Sequence, residues 1–336
     1  MKCARGEPHR FSALPKDGPR RGESKTCGLV PSTGPLLADS PVRANCVALI
    51  GSRHYNNGVN GMAKTLLAAC AAFATLGSAL AWQMPWREYP GQDNIEIPPD
   101  YKVPAEWVFA RLMYPPYLGG YGAGFRSRYG DAWKRGRSSW TTDYTAADRH
   151  VAVALRRLTR IHVRSVEQPV DLDDGDDVFN YPWLYAVEVG RWELTATQVK
   201  QMRDFLDRGG FFMCDDFHGT REWAIFMQTM QRVFPDRQIV DIPDGDSIFH
   251  SIYDLDNRYQ VPGAQYLYTG RTYEQDGVDP HWRGVYDDNG RLLVAICHDM
   301  DLGDAWEYAD DPRYDEKFSG LAFRIVSNYV VYAMTH

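Results

Sequence analysis

Residues 209–219 read GGFFMCDDFHG: two glycines, four apolar residues, then Asp215, Asp216, Phe217, His218 and a closing glycine. A short apolar run that breaks off into ionisable side chains is a buried strand ending at the carboxyl edge of a sheet, where α/β folds place their sites. A second run of this kind, residues 292–297 (LLVAIC), breaks off into His298, Asp299, Asp301 and Asp304. Almost wholly apolar strands are covered on both faces, so such a chain must supply helices to two sides of a sheet.

The surrounding pattern supplies them. Residues 107–113 (WVFARLM) read as a first strand, 163–166 as a second and 183–187 (WLYAV) as a third. A helix from Ala146 carries Val151, Ala154, Leu155 and Leu158 on one face, with Thr145 and Asp148 in capping-box positions. Another opens on Thr195 and Gln198, buries Val199, Met202, Phe205 and Leu206, and stops at Gly209. A third begins after His218 with Thr220 as its cap and turns Trp223, Phe226, Met227, Met230 and Phe234 inward. Asn289-Gly290 marks a hairpin turn whose second arm is the central strand 292–297, and a last helix starts near Glu316. Strands and helices alternating through short joints predict an α/β three-layer sandwich with a mostly parallel central sheet, plus a β-hairpin.

The N-terminal third reads differently. Residues 62–81 have the layout of a secretory signal peptide: Met62-Ala63-Lys64, an apolar Ala-rich run, then Ser78-Ala79-Leu80-Ala81 before Trp82. A signal is read at an N-terminus, so translation is expected from Met62, with residues 1–61 an upstream extension that is untranslated or disordered. The expected exported product, a Pro-rich leader (82–106) and one α/β domain (107–336), starts at Trp82, which an intact mass checks. Residues 1–81 hold ten Lys and Arg and four Asp and Glu, leaving 27 and 40 for residues 82–336, a net charge of −13. So acidic a product disfavours nucleic acid and anionic membrane surfaces as partners, and no stable membrane span remains after cleavage. Four of the six cysteines precede residue 71, leaving Cys214 and Cys297, both inside apolar runs, as packed thiols rather than a disulfide framework.

If the two apolar runs are neighbours, the groups at their ends converge. Asp215, Asp216, His218 and His298 are then the candidate catalytic set, with Asp143, His250, Asp299 and Asp301 as candidate ligand-binding residues. Carboxylates and imidazoles at close range can act as acid and base or hold a divalent metal; no cofactor is predicted, and a divalent metal is the one the set leaves open. The same residue types after strands also cap helices and tie loops to backbone amides, and the sequence leaves both readings open. The helix starting after His218 would turn its amide N–H groups to this crevice and favour an anionic group. Cys214 lacks the small flanking residues of a nucleophile elbow. The acidic stretch 171–177 has Gly175 fifth and Pro182 twelfth, which is not an EF-hand loop, and reads as a solvated loop.

Several blocks carry a resemblance: WTTDYTAADRH (140–150), VEQPVDLDDGDDVFNYPWLYAVE (166–188), RGGFFMCDDFHG (208–219), VFPDR (233–237), IFHSIYDLD (248–256) and AICHDMDLGDAWE (295–307). They are similar to the bacterial domain-of-unknown-function family 4159, over residues 107–336. The resemblance implies a flavodoxin-like fold of the class I glutamine amidotransferase-like superfamily. Asp216 and Phe217 stand near the expected nucleophile position, so a glutamine amidotransferase is not implied. His218 resembles a histidine after a Gly-Gly strand in sugar-related members. The expected function is an exported periplasmic or cell-envelope protein with a crevice for a saccharide or anion, hydrolytic through the Asp/His cluster. The alternative is a noncatalytic module that docks an envelope protein.

Overall fold

Successive side chains of a strand point to opposite faces of its sheet, and in this chain both faces are buried. In the computed structural model, which describes residues 99, 103–117, 119, 130–136 and 138–336, seven strands form one sheet. The expectations for residues 1–61, for 62–81 and for most of the leader fall outside the described residues.

The strands are β1 (Ala110–Met113), β2 (Gln168–Asp171), β3 (Trp183–Val187), β4 (Phe211–Asp215), β5 (Val240–Asp241), β6 (His281–Tyr286) and β7 (Leu292–His298). They lie in the order β2-β1-β3-β4-β7-β6-β5. The first five in that order run parallel, and β6 and β5 complete the sheet antiparallel at one edge. The helices are α1 (Ala146–Leu158), α2 (Ala196–Asp207), α3 (Gly219–Val233), the single turn α4 (Tyr266–Thr269), α5 (Leu302–Glu307) and α6 (Glu316–Thr335).

One face of the sheet, with Trp183, Tyr185, Phe211, Met213 and Cys297, packs on Val151 and Leu155 of α1, Trp306 of α5 and Ile325 of α6. The other, with Leu184, Ala186, Phe212, Cys214 and Ile296, packs on Met202 and Phe205 of α2 and Phe226 and Met230 of α3. Each such side chain stabilises the fold by about 1.5–3 kcal/mol, so this double burial outweighs any single cap or ion pair. Cys214 and Cys297 sit on neighbouring strands but on opposite faces, which is why adjacency brings no bridge. Among the described residues, no helix is long and apolar enough to cross a membrane.

The structure departs from the sequence pattern in instructive places. The first strand is shorter than expected, and Trp107 contributes only an isolated bridge to Val163, all that remains of the expected strand 163–166. The second strand is instead Gln168–Asp171, a QPVD segment at the sheet edge, where proline's missing donor is tolerated. Thr195 and Gln198 form the expected capping box, but Thr145 makes no side-chain cap bond. Asp148 turns away from that cap because the buried Arg111 guanidinium of β1 claims it, with Nε 2.9 Å from Asp148 Oδ2. Helix α3 is capped at His218 rather than Thr220, whose hydroxyl donates to Asp276. Residues 173–176 of the acidic stretch are exposed, as expected of a solvated loop, but Asp171 at its start is buried, pairs with Lys134 at 2.9 Å and accepts from Gln198 Nε2.

Candidate functional site

The two apolar runs are adjacent parallel strands, with Phe212 opposite Val294 and Cys214 opposite Ile296. Their connections continue to pair beyond the sheet: Asp216 N–H donates to Met300 O at 2.9 Å and Asp299 N–H to Phe217 O at 3.1 Å. This mutual bonding fixes the carboxylates that follow each strand. The backbone there is strained as well. Asp143 (φ 61°), Glu188 (49°), Asp216 (49°) and Asp299 (63°) all adopt the left-handed region, which costs a non-glycine residue about 1–3 kcal/mol. Glu188, Asp216 and Asp299 directly follow β3, β4 and β7 and Asp143 precedes α1; the fifth such residue, Gln275 (47°), lies in the loop before β6.

Asp215, the last residue of β4, is fully buried and fully engaged. Tyr185 Oη donates to its Oδ1 at 2.6 Å, and the amides of Leu302 and Gly303 donate to Oδ2 at 2.7 and 3.1 Å. Burial pushes its carboxyl up to about 7, against the downward pull of these three donors. Asp215 thus ties α5 to the sheet and has no oxygen left for a substrate.

Asp216 and His218 form a dyad, with His218 Nε2 3.2 Å from Asp216 Oδ1. The other ring nitrogen, Nδ1, is buried and has no hydrogen-bond partner. A donated Nε2–H would leave Nδ1 as a free lone pair, the arrangement of a base oriented by a carboxylate. Burial lowers the His218 pKa and, with the charges of Glu188, Asp143 and Asp304, holds that of Asp216 well above the usual carboxylate range.

Two further imidazoles meet at Asp299. Its Oδ1 accepts from Gly219 N–H at 2.7 Å, while Oδ2 lies 3.0 Å from His298 Nδ1 and 3.8 Å from His281 Nε2. The His298–Asp299 contact is short, yet Nδ1 makes no aligned hydrogen bond. His298 Nε2 lies 3.4 Å from Gly219 O, and its ring packs against both Phe217 and Trp223, each 4.8 Å away between centroids. Burial pushes the His298 imidazole down to about 3. A cavity of about 290 Å³ opens here, lined by His281, His298, Asp299, Arg283, Trp223 and Asp276 among others.

The start of α3 does not wait for an external anion. Gly219 N–H is taken by Asp299, Thr220 N–H by Asp276 Oδ1 at 3.0 Å, and His218 N–H by Glu222 Oε2 at 2.8 Å. Gly219 is required at this crowded turn: its φ is +70°, and a Cβ would stand 1.9 Å from Asp276 Oδ1.

Asp143 and Asp301 come together elsewhere on the same edge, beside Asp304. His250 does not join either group; it bonds Asp254 Oδ1 at 3.0 Å and Asp244 O at 2.9 Å and secures its own loop. Cys214 is buried in the core, and burial pushes its thiol well above the usual range, which fits packing and not attack.

Sequence reasoning missed His281 and left Asp304 out of the candidate set. A signal for His281 existed: reflecting the chain through Asn289-Gly290 carries His298 onto His281, the pairing found between β6 and β7. Asp304 was visible after the strand, but its approach to Asp143 depends on a fold-back that no local spacing shows.

No curated protein matches this chain. A family model described as domain of unknown function (DUF4159) matches residues 128–334, a stretch that begins after β1 and therefore later than the expected start at residue 107. It takes in every acidic and histidine side chain of the edge described above, and the chain belongs to this family.

Proposed function

We propose that this protein is a metal-dependent hydrolase of small polar ligands, holding a divalent transition-metal ion through His281, His298 and Asp299. The observation that carries this reading is that His281, His298 and Asp299 each bring one ligand atom within 4.8 Å of the other two beside the cavity, with Asp299 Oδ2 3.0 Å from His298 Nδ1 and 3.8 Å from His281 Nε2. Two imidazoles and a carboxylate are a donor set of catalytic ions that keep a position open for substrate. The tautomer supports it: an Nε2–H directed at Gly219 O leaves the His298 Nδ1 lone pair facing a carboxylate oxygen at 3.0 Å. A cation between these two acceptors turns a repulsion into two bonds, with Gly219 O and Gly219 N–H orienting the ligands from behind.

When bound, the ion supplies Lewis-acid polarisation of the scissile group. His218, whose Nδ1 has no partner, would accept a proton there from the attacking water as the water oxygen bonds to the electrophile, with Asp216 positioning the ring through Nε2. The same nitrogen then returns the proton to the leaving group. A cavity of about 290 Å³ is at the small end of ligand sites, which favours a monosaccharide or a compact anion over a polymer. The parallel order β2-β1-β3-β4-β7 is that of flavodoxin-like sheets and supports an amidotransferase-like scaffold without its nucleophile.

Turnover of a panel of chromogenic esters, phosphoesters and glycosides tests the proposal. Hydrolysis should vanish with a chelator, return with the ion, and fall at least about 100-fold in His218→Ala. Turnover indifferent to both would contradict it. A second reading, a noncatalytic interaction module, is favoured by an apolar groove of about 580 Å³ lined by Trp223, Met227, Met230, Phe234, Ile239 and Val285. An ion bound without any turnover would support that reading instead.

A further inference from the structure

We infer that the chain has a second cation site, made only of oxygen, at Asp143, Asp301, Asp304 and Gln265, which takes a hard divalent ion of the Ca²⁺ and Mg²⁺ class. One carboxylate oxygen from each aspartate lies within 4.8 Å of the other two. These are side chains from distant parts of the chain: Asp143 precedes α1, Asp301 caps α5, and Asp304 lies in the first turn of α5.

Two orphaned oxygens point to a missing partner. Asp143 is 8% exposed, and its Oδ2 is buried without any hydrogen bond. Both amide atoms of Gln265 are likewise buried and unpartnered, and Oε1 is the one that shares the space at Gly263 with Asp301 and Asp304. An unmet buried acceptor costs about 1–3 kcal/mol, more when charged, so the pair marks a place built for something that donates or carries positive charge. Both oxygens line a cradle formed by glycines. A Cβ on Gly303 would stand 2.1 Å from Asp143 Oδ2, and one on Gly263 would stand 2.4, 2.8 and 2.9 Å from Asp301 Oδ2, Asp304 Oδ2 and Gln265 Oε1. Side chains at either position would fill the space between the donors.

The remaining lone pairs are already used in ways that aim the rest inward. Asp301 Oδ1 accepts from Asp304 N–H at 2.7 Å, and Asp304 Oδ2 accepts from Ala264 N–H at 2.5 Å. Among the described residues no Lys or Arg forms an ion pair with the group: Arg111, the nearby guanidinium, is bonded to Asp148 and to the carbonyls of Trp140 and Thr142. Three carboxylates and an amide carbonyl, with no nitrogen or sulfur, select hard cations over the transition metals that suit His281 and His298. The two sites are therefore separable by chemistry.

Calorimetric titration of the full chain, stripped by chelator, with Ca²⁺ alone and with Mg²⁺ alone tests this site. We expect saturable binding of one ion and a rise in melting temperature, with affinity lowered at least about 10-fold in Asp143→Asn and in Gln265→Ala. Asp143→Asn keeps the shape and tolerates the left-handed backbone, and Gln265→Ala leaves all three carboxylates in place. Binding should persist in His298→Ala. Absence of saturable binding of either ion, or binding unchanged in both Asp143→Asn and Gln265→Ala, overturns the inference.

Discussion

Asp215 shows how a buried carboxylate can look catalytic in a sequence and act as a structural tie in the fold. Adjacent aspartates after an apolar strand were legible, but which of the two would be spent on Tyr185, Leu302 and Gly303 was not, because those donors come from distant segments. The tie has a pH signature. An unfolded aspartate titrates near 4, whereas burial in the fold pushes Asp215 up to about 7. Between these values the folded chain keeps a proton that the unfolded chain has lost. Stability from this group is therefore greatest below about pH 4 and declines by an amount on the order of 4 kcal/mol as the pH rises to about 7, then levels off. Urea unfolding between pH 5 and 8 should show that decline in the wild type and a shallower one in Asp215→Asn. Parallel slopes in the two proteins would refute the assignment.

Among the elements, local rules held where nothing distant competed with them. Thr195 and Gln198 cap α2 as their spacing requires, while the same spacing at Thr145 and Asp148 fails because a buried guanidinium on β1 outbids a helix amide. The two helix starts should respond differently to the same change. Thr195→Ala should destabilise the protein by about 1 kcal/mol, and Thr145→Ala, with no cap bond to lose, by far less. Matched urea titrations compare them, and equal losses would contradict the difference in capping. The edge strand β2 escaped notice since QPVD lacks the apolar run that marks an interior strand. Strand β7 was legible for the opposite reason, with every one of its residues buried.

Across the molecule, alternation of apolar strands with capped helices was enough to foresee a mostly parallel sheet covered on both faces. The adjacency of β4 and β7 turned two separate Asp/His endings into one edge. What the sequence could not show is how that edge divides. One part mixes imidazole with carboxylate at His281, His298 and Asp299, and the other gathers oxygen alone at Asp143, Asp301 and Asp304. The division arises from the hairpin that returns His281 beside His298 and from the fold-back of α5 toward Asp143, both long-range events. The proposed hydrolysis at this edge stands on the first part. The most direct measurement is the metal content of the full chain after equilibration with Zn²⁺ or Mn²⁺ and removal of free ion. One equivalent retained by the wild type and lost in His281→Ala and His298→Ala is the predicted result; no retained ion, or retention unchanged in both variants, would contradict it.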